Sequence, residues 1–91
     1  MSQEQVRIIF YGRVQGVGFR YTAQRVANDN DVSGWVKNNP DSSVEILALA
    51  EKENIEKFID ILKRYFSSNI EKYTLSKDYL SKVNSGFIIK Y

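Results

Sequence analysis

An α+β sandwich, with two helices on one face of a mostly antiparallel sheet, is the fold class this sequence predicts. Three observations carry that expectation. Segments of period-two hydrophobicity alternate with two segments of helical period, in the order strand, helix, strand, strand, helix, strand. The two middle strands are separated by a short polar turn around Pro40. The chain has 91 residues and 43% hydrophobic content, enough for one small core.

Val6, Ile8 and Phe10 alternate with Arg7, Ile9 and Tyr11, which predicts a first strand with the former set on the better-buried face. Phe19, Ala23, Val26 and Ala27 recur at helical spacing and form the inward stripe of a first helix. That helix stops near Asn28-Asp29-Asn30-Asp31, residue types that tolerate a left-handed backbone. Val32 to Asn38 and Val44 to Leu49 read as the second and third strands. Asn39-Pro40-Asp41-Ser42-Ser43 is a turn that makes them an antiparallel hairpin. The second helix carries Ile55, Phe58, Ile59, Leu62 and Phe66 on one face. Glu51 and Glu53 lie early and Lys63 and Arg64 late, as the helix dipole favours. Ser67-Ser68-Asn69 ends the pattern, Ile70 to Leu75 is a fourth strand, and Phe87 to Tyr91 is a short final one. Residues 76–86 carry no readable period. This order is that of a ferredoxin-like βαββαβ sandwich with a short C-terminal strand.

Composition excludes several kinds of chemistry. The sequence has no cysteine and no histidine, which removes thiolate and imidazole nucleophiles, Ser/His catalysis and the commonest zinc ligands. Thirteen basic and eleven acidic residues are spread through the chain, so the balance does not suggest a nucleic-acid binder and any anion site must be local. Met1 to Gln5 has neither a basic nor an apolar leader region, and no apolar run is long enough to span a membrane. A soluble, cytoplasmic protein is the expectation.

Gly12-Arg13-Val14-Gln15-Gly16-Val17-Gly18-Phe19-Arg20 lies between a strand end and a helix start. Three glycines alone make a loop. With a strand before, a helix after and an arginine on the first helical turn, they make an anion cradle. Backbone N–H groups at a helix N-terminus lack intrahelical partners, and the macrodipole adds positive potential there. Gly16 and Gly18 permit the positive φ that lets the N–H groups of Gln15 to Arg20 converge. Arg20 adds a planar, permanently charged fork that matches two phosphoryl oxygens. The string has neither the Lys-Ser/Thr of a P-loop nor the spacing of a dinucleotide fingerprint, so no nucleotide is implied.

Asn38, at the far end of the second strand, is the second candidate. Its amide carries both a donor and an acceptor, and the expected topology brings this strand end toward the cradle. Asparagine before Asn-Pro-Asp is equally an ordinary turn former. Trp35 reads as a packing residue that partly covers the sheet, and Lys37 as a solvated strand residue.

The cradle string, Gly34-Trp35-Val36-Lys37-Asn38 and the ending Phe87-Ile88-Ile89-Lys90-Tyr91 together resemble the acylphosphatase family over nearly the whole chain. The resemblance implies one acylphosphatase-like domain over residues 1–91 that hydrolyses the carboxyl–phosphate bond of small acyl phosphates to a carboxylate and inorganic phosphate. It implies no cofactor, no metal, no nucleic-acid or membrane partner, and a monomer. By position, the phosphate-binding arginine is Arg20 and the water-positioning asparagine is Asn38. The substrate phosphate-binding loop is Gln15, Gly16, Val17, Gly18 and Phe19.

Two rivals share the topology. An RNA recognition module would need exposed aromatics on its central strands, and the third strand has none. A phosphate sensor without turnover would have no need for Asn38. Asp31 and Ser42 stand where family members often have turn glycines. If those positions need positive φ, each replacement costs about 1 kcal/mol.

Overall fold

The computed structural model describes residues 3–91, so the reading of Met1 and Ser2 lies outside the described residues. Seven elements follow in the expected order: β1 (Gln3–Gly12), α1 (Phe19–Asp29), β2 (Ser33–Asn38), β3 (Val44–Glu51), α2 (Lys52–Tyr65), β4 (Ile70–Lys77) and β5 (Phe87–Lys90). The strands form one sheet in the order β4-β1-β3-β2-β5. The first three pairings in that order are antiparallel, and β5 joins the edge of β2 in parallel. This is the ferredoxin-like arrangement, with β1 and β3 central as the topology requires.

Alternation on β1 decides which face is dry. Val6, Ile8 and Phe10 are buried beneath the helices, with Ile46 and Val36 from the neighbouring strands. α1 brings Phe19, Ala23, Val26 and Ala27 to this layer, and α2 brings Ile55, Phe58, Ile59 and Leu62. Those are the predicted stripes. Phe10, Phe19 and Phe66 stack in succession, with ring centroids 5.1 and 4.7 Å apart, and lock the start of α1 to β1 and to the end of α2.

Boundaries differ from expectation in a few places, each with a cause. Glu51 remains in β3, paired with Gln3, and serves as N-cap of α2 instead of lying within it. Phe66 is the C-cap of α2, its N–H bonded to the carbonyl of Leu62, yet its ring stays buried. β4 runs on to Lys77 because the antiparallel register on β1 still offers it partners there, Arg7 opposite Ser76 and Val6 opposite Lys77.

The segment after β4, unreadable in the sequence, is tied to the sheet's other face. Asp78 accepts from Arg7 at 2.6 Å and from the N–H groups of Leu80 and Ser81, while Gln5 Nε2 donates to the carbonyl of Ser81 at 2.7 Å. Arg7 also pairs with Glu45. Leu47, fully buried although on the face away from the helices, is paired with Arg7 on one side and Trp35 on the other. Trp35 is the packing residue expected. Lys37 is more than a solvated residue: its ammonium lies 5.3 Å from the centre of the Trp35 ring, and that of Lys90 lies at 4.5 Å.

Both non-glycine turn positions have positive φ: 56° at Asp31 and 78° at Ser42. The strain anticipated from the missing glycines is therefore present at both sites. It is smaller at Asp31, because Asp tolerates the left-handed region better than most residues.

Candidate active site

Local chain geometry at residues 12–20 is set by one anchor and two hinges. Val14 is fully buried and pins the loop to the core. Gly16 and Gly18 adopt φ of 76° and 81°, and a Cβ built on either would meet nothing within 4 Å. Backbone conformation, not space, is what calls for glycine here. Gly18 is the N-cap of α1 and brings no capping side chain, and no acidic residue stands in the helix's first turn. The first-turn N–H groups are thus not claimed by a side-chain cap. Phe19 turns into the core, which leaves Arg20 on the adjoining side of the helix.

A cavity of about 180 Å³ opens at this end of the sandwich, lined by Val14, Gly16, Gly18, Phe19, Arg20, Tyr21, Asn38, Ile89 and Tyr91. It brings together the two candidates that the sequence separates, Arg20 and Asn38. Asn38 ends β2 opposite Val44 and shares the helix-side alternation of buried Val36. β5 pairs in parallel with β2, so its C-terminal end arrives beside Asn38 and contributes Ile89. Gln24 on α1 donates to the carbonyl of Phe87 at 3.0 Å and holds β5 against the helix.

Arg20 makes no ion pair among the described residues. Its guanidinium carbon lies 4.9 Å from the centre of the Tyr91 ring, a stacked arrangement that orients the side chain without consuming its charge. Among the described residues, no group of three or more carboxylates stands where a metal could be held.

The phosphate-binding set predicted from the sequence divides in two. Gly16, Gly18, Phe19 and Arg20 line the Arg20 cavity, whereas Gln15 and Val17 line a separate depression with Gly12, Arg13, Val14, Ser42 and Asn69. Gln15 has its own task. Its Nε2 donates to the carbonyls of Asn39 at 2.8 Å and Ser43 at 2.9 Å, which ties the loop to the turn that follows Asn38. That turn is braced by Asn39 Nδ2 donating to Ser43 Oγ and by Ser43 Oγ donating to Asp41 Oδ1 at 2.5 Å. These contacts hold the Asp41 carboxyl below the usual carboxylate range, the Ser43 hydroxyl first and its N–H second.

Sequence reasoning missed Tyr21, Ile89 and Tyr91 as cavity residues, and missed Gln15 as a side-chain brace. Helical phase beside Arg20 is the only signal that could have pointed to Tyr21. Ile89 and Tyr91 enter through the parallel β2–β5 pairing, which no local pattern announces.

Fold and cavity together define a ferredoxin-like domain with an uncompensated arginine and a glycine-shaped helix start at one end. Comparison with known proteins narrows this class. The sequence model of the acylphosphatase family, described simply as acylphosphatase, matches residues 6–89. An acylphosphatase of Bacillus velezensis is 40% identical over 88 residues, which span 96% of this chain and 98% of that protein. One from Listeria welshimeri is 55% identical over 64 residues, 70% of this chain and 69% of the other. The crystal structure of acylphosphatase from Bacillus subtilis superposes with a TM-score of 0.85 at 34% identity, covering 99% of this chain and all of that one. The chain belongs to the acylphosphatase family and is a hydrolase of that kind.

Proposed function

We propose that this chain hydrolyses small acyl phosphates by in-line attack of water, with Arg20 and the N–H groups of residues 15–20 holding the phosphoryl group and Asn38 orienting the water. The observation that carries the reading is the single cavity in which Arg20, Asn38, Gly16 and Gly18 meet. An acyl phosphate is a mixed anhydride with a good carboxylate leaving group, so no strong general acid is required. The catalytic task is to position two reactants and to stabilise charge on the equatorial phosphoryl oxygens.

The residues match that task. The Arg20 fork and the loop N–H groups supply fixed positive potential, and the Asn38 amide accepts from one water hydrogen while its N–H₂ holds the substrate side of the site. As water attacks phosphorus, the bond to the acyl oxygen breaks and the carboxylate leaves with the electron pair. No cavity residue is an evident base, so the water's proton passes to a phosphoryl oxygen, and inorganic phosphate is the second product. On this reading neither metal nor cofactor takes part. The protein acts as a cytoplasmic monomer without nucleic-acid or membrane partners. No helix among the described residues is long and apolar enough to cross a membrane.

Asn38→Ala tests the division of labour. Turnover should fall by about 10²- to 10³-fold, the usual cost of losing one positioned polar group in a transition state. Inorganic phosphate, titrated calorimetrically, should bind almost as well as to the parent protein. Normal turnover, or loss of phosphate binding in a folded variant, would make Asn38 a turn residue or a ligand-holding residue instead.

A further inference from the structure

We infer that Gln15 is a positioning residue, whose side chain sets the separation between the phosphoryl-binding loop and Asn38. The inference rests on the reading that the loop holds the phosphoryl group and Asn38 orients the water. Those two parts belong to different stretches of chain, one between β1 and α1 and the other at the end of β2. Among the described residues, the Asn38 side chain makes no hydrogen bond that would fix it to the loop directly. The link runs through Gln15 instead. Its Nε2 donates to the carbonyl of Asn39, the residue next to Asn38, at 2.8 Å and to that of Ser43 at 2.9 Å.

Neither side of that link can be made another way. On the loop side, Gly16, Val17 and Gly18 have no side chain able to hydrogen-bond, and both glycines sit at positive φ with open space where a Cβ would stand. Gln15, between the buried Val14 anchor and the first of these hinges, is the one residue of the four whose side chain can tie the loop down. On the turn side, the two carbonyls also have backbone donors: Asn39 N–H reaches Ser43 at 2.9 Å, and Ser42 N–H reaches Asn39 at 3.2 Å. A carbonyl has two lone pairs, so each accepts both bonds. Without the Gln15 amide the turn keeps its own hydrogen bonds, and what is lost is its tie to the loop. That loss bears on rate more than on binding. Phosphate gathers the loop N–H groups around itself and Arg20 remains, whereas no ligand contact restores the distance from phosphorus to the water that Asn38 holds. A misplacement of about 1 Å in such an arrangement costs about 10²-fold.

The test is a double-mutant cycle on Gln15 and Asn38, with kcat and KM measured on acetyl phosphate and the affinity for inorganic phosphate measured by calorimetry. Gln15→Met keeps the length of the side chain and removes its donors. It should lower kcat by about 10- to 100-fold and leave phosphate affinity within about threefold of the parent protein. Added to Asn38→Ala, it should cost no more than about a further threefold, because a brace that acts through Asn38 has nothing left to position. A merely structural role would not give that non-additivity. Gln15→Glu keeps the shape but presents only acceptors to the two carbonyls, so it should be at least as impaired. It carries the same test if Gln15→Met does not fold. Normal kcat in a folded Gln15 variant overturns the inference. So does a full additional loss in the Asn38→Ala background, and so does a collapse of phosphate affinity, which would make Gln15 a ligand-holding residue. Failure of the underlying reading shows separately, in the single variant Asn38→Ala: it would then turn over acetyl phosphate normally, whatever Gln15→Met does.

Discussion

Arg7 and Arg20 stand on opposite sides of the same sheet and are surrounded in opposite ways. Arg7, on the face away from the helices, is gripped by Glu45 and by Asp78 at 2.6 Å, and its guanidinium carbon lies 5.9 Å from the centre of the Trp35 ring. Arg20, at the start of α1, meets one aromatic ring and no carboxylate among the described residues. The first arginine has exhausted its charge inside the molecule. It fastens the connector after β4 across the sheet, and little is left for a ligand. The second keeps its charge, beside backbone donors that no side chain caps. A guanidinium satisfied by carboxylates builds structure, and one left with only an orienting ring builds a site.

Disrupting the two environments by mutation should give different phenotypes, and the largest effect belongs to Arg20. Arg20→Gln is expected to lower acyl phosphate turnover by more than about 10³-fold, because the fork is lost from ground state and transition state alike. Arg20→Lys should also be severely impaired, since a point charge does not reproduce the planar fork. Stopped or coupled assays with acetyl phosphate measure both. A lysine variant with near-normal turnover would break the comparison at its catalytic end.

The structural end is sharpened by acid. The N–H of Ser81 first, and the Arg7 guanidinium second, hold the Asp78 carboxyl far below the ordinary carboxylate range. A carboxyl depressed in the folded state contributes stability that is present above its unfolded pKa of about 3.9 and is lost as pH falls toward the folded value. Denaturant unfolding of the parent protein should therefore weaken steeply below about pH 4. Asp78→Asn should be less stable at neutral pH and show a shallower decline on acidification. Equal slopes for the two proteins would show that the clamp does not contribute to folding.

The smallest effect is a gain. Ser42 holds φ of 78° without being glycine, in the turn that Gln15 ties to the cradle loop. Ser42→Gly should relieve that strain, offset in part by the greater freedom of glycine in the unfolded chain, for a net stabilisation of about 0.5 kcal/mol. Thermal unfolding should rise by roughly 2–4 °C. A fall in stability would mean that the turn does not strain the serine.

The same contrast shows what the sequence could and could not disclose. Period-two alternation exposed β1 and β3, and helical spacing exposed both helices, because each pattern is local and each element buries one face. The glycine hinges and the helix start beside Arg20 were legible because these residues are neighbours in the chain. The connector at residues 78–81 was not, since its partners Gln5 and Arg7 lie more than seventy positions away and nothing in its own composition points to them. Tyr91 and Ile89 were hidden for a related reason: a parallel pairing of β5 with β2 brings them to Asn38. The brace from Gln15 was likewise invisible, because the carbonyls it binds belong to backbone and carry no residue identity.

The central claim is that Arg20, and no metal, holds the phosphoryl group. Calorimetric titration of inorganic phosphate in excess chelator, on the parent protein, Arg20→Gln and Arg7→Gln, tests it most directly. Both variants must first be shown folded by circular dichroism. The account predicts one phosphate bound per chain in the parent protein, similar binding in Arg7→Gln despite its lower stability, and no measurable binding in Arg20→Gln. Phosphate binding that survives in folded Arg20→Gln, or that disappears from the parent protein when metal is removed, would contradict it.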